Sequence, residues 1–204
     1  MSYAFAEVAA PRGAPLLFLL HGTGGDETDL IALGRQVLPG AHLVSPRGDV
    51  LEGDAPRFFK RLAMGVYDMA DLDRATTKMA RFIDERVRAA EPSIVAAVGY
   101  SNGANLLASV LFQHPDLLDR VVLMHPLVPF QPPNQPGLAG REVLITAGRH
   151  DPIAPEAATQ ALADYFAAQG AASSIAWHDG GHELRRPEFL AAQQMLTGSS
   201  VPTI

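Results

Sequence analysis

The chain contains no cysteine. Disulfides, thiolate metal sites and a cysteine nucleophile are therefore excluded. Long apolar runs are missing too, and none approaches the ~20 residues that a membrane span needs. The opening stretch MSYAFAEVAAPRGAP has neither the basic n-region nor the apolar h-region of a signal peptide. Positive charge is in short supply: 16 Lys and Arg stand against 22 Asp and Glu, for a net charge of −6. That is the wrong sign for a nucleic acid or an anionic membrane as partner. No internal repeat and no linker rich in glycine and serine interrupts the chain. These absences lead to the expectation of a soluble, cytoplasmic protein with a homodimer left open.

What is present is an ordinary globular composition, 48% apolar over 204 residues, enough for one sizeable domain spanning 1–204. Short apolar runs without polar alternation occur at 16–20, 42–45, 94–100, 120–125, 142–147 and 174–178. That is the pattern of buried parallel strands. Between them lie segments with helical periodicity, clearest in 71–90, where Leu72, Ala75, Met79, Phe82, Ile83 and Val87 form one stripe. Strand alternating with helix predicts an α/β fold, a mostly parallel sheet with helices on both faces. Two connections break the rhythm, the long segment 46–70 and the proline-rich segment 125–140. Both follow strand ends, where open α/β sheets bind ligands.

The sharpest local signal is GYSNG, with Ser101 between Gly99 and Gly103 at the junction of a strand pattern and a helix pattern. Only about 0.07 such G-x-S-x-G matches are expected by chance in a chain of this composition. At a nucleophile elbow the serine sits on a strained turn above the sheet edge, and side chains two positions either side would strike the neighbouring strand and helix. A plain glycine-rich turn with a capping serine is the simpler alternative. A serine nucleophile needs a base and an acid, in the order Ser, Asp or Glu, His, each after a strand. Asp151, in GRHDPIAP, and His182, in the glycine-flanked DGGHEL, meet both conditions. His178 ends a strand and reads as a hydrogen-bonded structural residue. His150 has the wrong order, and His42, His114 and His125 read as strand-end or surface residues. Asp179 is too close in sequence to His182 to brace it.

HGTGGDE, at 21–27, begins like a dinucleotide loop but lacks the final small residue, and Asp26 and Glu27 would repel a phosphate. It reads better as half of an oxyanion hole, with the backbone N–H groups of Thr23 and Asn102 as donors. Asp26 is expected to cap the following helix, and His21 to organise the loop. His178, Asp179 and His182 cluster in sequence, but no metal-binding spacing such as H-E-x-x-H exists. No metal and no cofactor are expected.

With these motifs assembled, the chain resembles the phospholipase/carboxylesterase family of small α/β-hydrolases, which includes the acyl-protein thioesterases. The resemblance spans about 21–188 and rests on HGTGGDE, SPRGDVLEGDAPRFFKR, GYSNGA, GRHDPIAP and GGHEL. It implies the α/β-hydrolase fold, a Ser101–Asp151–His182 triad and oxyanion donors at Thr23 and Asn102. Asn102 replaces the usual glutamine of the thioesterases, and HGTGGD replaces their H-G-L-G-D, which places the chain nearer the bacterial carboxylesterase branch. The activity expected is hydrolysis of short- to medium-chain carboxylic esters, the partner being a small-molecule ester. Acyl-protein thioesterase or lysophospholipase activity, and a non-catalytic ligand-binding role, are the alternatives. Phe58, Phe59 and Met64 are expected to wall the substrate site, with Leu127, Val128 and Phe130 opposite. Arg57, Lys60 and Arg61 read as a solvated charged face, with attraction of an anionic substrate as the alternative. The segment 126–140 is too short for a large cap domain.

Overall fold

The computed structural model describes residues 2–198. In chain order the elements are β1 (Phe5–Val8), β2 (Leu16–Leu20), α1 (Ile31–Val37), β3 (His42–Pro46), β4 (Val50–Glu52), β5 (Ala55–Arg57), β6 (Arg61–Ala63), β7 (Val66–Tyr67), α2 (Met69–Ala90), β8 (Val95–Tyr100), α3 (Asn102–Gln113), β9 (Arg120–Met124), β10 (Glu142–Gly148), α4 (Glu156–Ala168), β11 (Ala172–His178) and α5 (Arg186–Thr197). Seven strands make one sheet in the order β1-β3-β2-β8-β9-β10-β11. All neighbours are parallel except β1, which pairs antiparallel with β3, Phe5 opposite Pro46. All six strands expected from the apolar runs are present.

The run Leu16–Leu20 shows why the strands lack polar alternation. Leu16, Phe18 and Leu20 point into a core shared with Met79, Phe82, Leu107 and Phe166, under α2, α3 and α4. Leu17 and Leu19 point the other way, into a core with Leu33, Val37, Ala192 and Leu196, under α1 and α5. Each such fully buried side chain contributes about 1.5–3 kcal/mol. Helix α2 buries the anticipated stripe, Leu72, Ala75, Met79, Phe82 and Ile83, and starts at Asp68, whose side chain accepts the N–H of Asp71. Residue 91 ends it in a left-handed conformation, φ 46°.

The segment 46–70 is not an open loop. It folds into two small antiparallel hairpins, β4 with β5 and β6 with β7. Between β9 and β10 the only regular structure is a turn of 3₁₀-helix at Pro136–Leu138, so no large cap stands over the sheet among the described residues. No helix among them is long and apolar enough to cross a membrane. Because β2, β8, β9, β10 and β11 run parallel, the loops after Leu20, Tyr100, Met124, Gly148 and His178 gather at one edge. There the candidate residues meet.

Candidate active site

Ser101 leaves β8 with φ 50° and ψ −112°, a strained conformation for a residue with a side chain, and begins α3. Its N–H is tied to the carbonyl of Met124 at 2.9 Å. The flanking glycines have a direct steric reason. A Cβ on Gly103 would lie 2.2 Å from the carbonyl oxygen of Leu20, and one on Gly99 would lie 2.7 Å from the nitrogen of Ala104. Strand β2 and helix α3 close on the turn from both sides, so neither position has room for a methyl group.

Two further loops bring the candidate acid and the candidate base. The Ser101 hydroxyl lies 2.9 Å from His182 Nε2, and His182 Nδ1 lies 2.7 Å from Asp151 Oδ2. The second oxygen of Asp151 accepts the N–H groups of Ile153 and Ala154 at 2.8 and 3.0 Å. The two loops are packed at van der Waals limit: a Cβ on Gly148 would be 2.1 Å from the carbonyl oxygen of Gly181. His150 N–H also donates to the Gly180 carbonyl at 2.8 Å. Burial by itself would raise the Asp151 carboxyl, but hydrogen bonds from His125, Ala154, His182 and Ile153 outweigh it and hold the group below the usual carboxylate range.

The loop after β2 and the first turn of α3 supply N–H groups. Those of Thr23 and Asn102 have no acceptor among the described residues, and both residues border the same cavity as Ser101 and His182. His21 organises this loop as expected. Its Nδ1 donates to the carbonyl of Gly22 at 2.6 Å and its Nε2 accepts the N–H of Gly48 at 2.9 Å. Burial lowers its pKa, which favours this neutral tautomer. Asp26 does not cap α1. Its carboxylate accepts the N–H and hydroxyl of Thr28, both at 2.7 Å, stabilising the turn before the helix.

The cavity beside Ser101 encloses about 210 Å³. Met64 and Leu127 line it, with Gly65, Tyr67, Asn105 and Ile153. Phe58 and Phe59 do not. Both are fully buried in the core, where Phe58 stacks near His21, ring centroids 4.7 Å apart, and Phe59 meets Tyr67 edge-on. The N–H of Phe58 donates to the Asn102 side chain at 2.8 Å, which draws this segment inward and turns its rings away from the cleft. Val128 and Phe130 likewise pack against the core. Arg57 departs from a solvated face. It is 3% exposed, and its guanidinium donates to Thr23 Oγ1 at 2.7 Å and to the Phe59 carbonyl at 3.2 Å. Lys60 is exposed, and Arg61 pairs with Glu52 at 2.6 Å.

A buried polar cluster beneath these three residues has no signature in the sequence. His125 is not the strand-end or surface residue that the sequence suggests: its ring is fully buried, 2.9 Å from Asp151 Oδ2 and 3.0 Å from Glu188. Glu188, in the first turn of α5, also contacts His178 at 3.2 Å and accepts the Thr146 hydroxyl at 2.5 Å. His178 is thus structural, as expected, and does not cluster with Asp179. That residue faces Arg149 at the surface, 3.8 Å away. The one sequence signal for His125 was its place at the carboxyl end of a central strand. Nothing local distinguished Glu188 from an ordinary acidic residue near a helix start. Two groups, His125–Asp151–His182 and His125–His178–Glu188, are close enough to hold a cation. Proton-mediated contacts and ion pairs account for both.

Chemically, the arrangement offers a hydroxyl on a strained turn, an imidazole in line with a buried carboxylate, and two free N–H groups beside a small cavity. That is what acyl transfer requires. Comparison with known proteins agrees on an α/β-hydrolase, but the family that matches is not the phospholipase/carboxylesterase family of the resemblance. The dienelactone hydrolase family matches residues 52–188. The putative hydrolase MhqD of Bacillus subtilis (strain 168) is 46% identical over 181 residues, covering 88% of this chain and 90% of that protein. Among solved structures, the protein Atu2452 of unknown function from Agrobacterium tumefaciens str. C58 is 48% identical, with TM-score 0.90 and 97% of each chain covered. A Bacillus cereus carboxylesterase is 38% identical, with TM-score 0.87, covering 95% of this chain and 92% of that one. The sheet and its helices have the architecture of an α/β-hydrolase.

Proposed function

The chain belongs to the dienelactone hydrolase family of α/β-hydrolases, and from its site we propose that it is a serine carboxylesterase, acting on short- to medium-chain esters as on the small-carboxylesterase side of the fold. The observation that carries the reading is the continuous line from Ser101 Oγ through His182 to Asp151, at 2.9 and 2.7 Å. Ser101 attacks the acyl carbon while its proton passes to His182 Nε2. The tetrahedral oxyanion is received by the N–H groups of Thr23 and Asn102, each such donor contributing ~3–4 kcal/mol of barrier lowering. His182 returns the proton to the departing alcohol, and water repeats the sequence to free the acid. Asp151 fixes the tautomer and stabilises the imidazolium.

A fluorophosphonate probe tests this directly. Wild type is expected to be labelled at Ser101, and Ser101→Ala to lose both labelling and p-nitrophenyl ester hydrolysis with little change in Tm. His182→Ala is expected to lose activity by orders of magnitude, whereas His178→Ala mainly loses stability. Turnover by Ser101→Ala above a few per cent of wild type would overturn the assignment.

One observation favours a narrower substrate class. The Arg57 guanidinium is buried at the cavity wall, and its acidic neighbour Glu52, 3.4 Å away, is shared with Arg61. A buried cation with half a partner favours an ester that carries a carboxylate. A half-ester of a dicarboxylic acid should then show a lower KM than a neutral ester of equal length, with the advantage falling as salt rises. Equal KM values would remove this refinement and leave the esterase reading intact.

A further inference from the structure

The acyl-transfer mechanism uses one histidine and one carboxylate, yet the structure buries a second pair directly beneath them. We propose that His125 is a positioning residue, held as an imidazolium between Asp151 and Glu188, and that this buried cation sets the pH range over which His182 can serve as the base. The inference rests on the proposed triad.

The argument begins with charge. Asp151 and Glu188 are 5% and 1% exposed, and an ionised carboxylate in such a place needs a counter-charge. Among the described residues no Lys or Arg side chain forms an ion pair with either carboxylate. Arg185, three residues before Glu188, offers it only a backbone N–H, at 2.6 Å, and sends its guanidinium to Glu183. The counter-charge must therefore come from a histidine. His182 has to be unprotonated to accept the serine proton. Of the two carboxylates, His178 contacts only Glu188. His125 alone spans both carboxylates, Nδ1 at 2.9 Å from Asp151 and Nε2 at 3.0 Å from Glu188, with its side chain fully buried.

The remaining surroundings of His125 agree. The Tyr100 ring stands edge-on to it at 6.0 Å, and His178 Nε2 is 3.4 Å from its Nε2. Its backbone is held by a 2.8 Å hydrogen bond to the Thr146 carbonyl in a left-handed conformation, φ 52°. That strain is tolerated where the neighbourhood over-determines the position. Burial alone would make the imidazole less basic, but the contacts to Glu188 and Asp151 outweigh it and raise its pKa.

The consequence reaches His182. Its ring lies 5.1 Å from that of His125, both bonded to the same oxygen of Asp151. A cation there repels positive charge arriving on His182, and Glu188, on the far side of His125, only partly cancels it.

The test is a charge-balanced replacement, His125→Gln with Glu188→Gln, which removes one positive and one negative charge together and leaves the net charge of the cluster unchanged. Its acid limb in kcat/KM against pH should move up by about half a unit to one unit, a three- to tenfold loss of activity at the acid end. Independently of activity, nitrogen-15 NMR of histidine-labelled wild type should show both ring nitrogens of His125 protonated through the neutral range, the signal being assigned by its loss in His125→Gln. An unprotonated ring nitrogen on His125, or an acid limb unmoved in the double variant, would overturn the proposal. If the double variant does not fold, the NMR measurement on wild type decides alone. Fluorophosphonate labelling of Ser101 reports separately on the triad, so failure of one reading is distinguishable from failure of the other.

Discussion

The hydroxyl of Tyr100 donates a 2.7 Å hydrogen bond to the backbone carbonyl of His182, and the two rings lie 5.6 Å apart. The residue immediately before Ser101 thus fixes the loop that carries the histidine. Ser101 and His182 are held to each other through the chain as well as through their side-chain contact. Tyr100→Phe removes that tether but keeps the ring. A typical net hydrogen bond is worth about 0.5–1.5 kcal/mol, so Tm should fall by a few degrees. Because small misplacements of a catalytic group are costly, kcat should fall by up to about tenfold with KM little changed. Steady-state kinetics beside a melting curve check both halves.

Gly103→Ala tests the steric account of the elbow. The new methyl would meet the Leu20 backbone, which cannot swing away as a side chain could. Overpacking of this kind costs about 3 kcal/mol or more, or a fall in Tm of about 10 °C in a domain of this size. The measurement is thermal unfolding, with Gly40→Ala as the contrast. Gly40, unlike Gly103, has positive φ, 79°, with open space around its Cβ position, so any loss there is conformational and not steric.

Stability should depend on pH with a sign set by three kinds of group. Asp151 and Glu188 are both held below their ordinary values, against burial, by hydrogen bonds and His125. Their contribution is full above the unfolded values, near 3.9 and 4.3, and is lost as pH falls through the lower folded ones. Burial lowers His21, so the unfolded chain takes up a proton first and stability declines as pH drops below about 6.5. His125 is raised and works the other way, contributing fully below about 6.5 and losing that contribution as pH rises through its folded value. Melting curves should show a steep loss below about pH 4, and Glu188→Gln should make that loss shallower.

Acyl-chain preference follows from the walls. The cavity of about 210 Å³ is bounded by the β6–β7 hairpin, which carries Met64 and Gly65, and by Leu127 at the start of the segment after β9. Each methylene adds ~0.8 kcal/mol of binding only while apolar wall covers it. Across a series of p-nitrophenyl esters, kcat/KM should peak at short to medium chains and fall for long ones, with no jump above the critical micelle concentration. A preference for long chains would point to the lysophospholipase or thioesterase alternative.

The amino-acid order alone determined whatever depends on near neighbours in the chain. Runs such as Leu16–Leu20 state that both faces of a strand are covered, and the stripe from Leu72 to Ile83 states a helix, because these periodicities are local geometry. Gly99, Ser101 and Gly103 declare a turn too tight for side chains, and Asp151 and His182 declare themselves by following strands in the right order. Tertiary structure alone decided which side chains at the strand ends face the cleft and which face the core. β1 and the hairpins between β3 and α2 are strands only because partners lie alongside, as edge pairing supplies hydrogen bonds that so few residues cannot specify. Phe58 and Phe59 turn inward because the Asn102 side chain, from another element, takes the Phe58 N–H. His125 meets Glu188 only when α5 packs beneath the sheet edge. Buried charge is balanced across space and not along the chain, which is why that contact had no sequence signature.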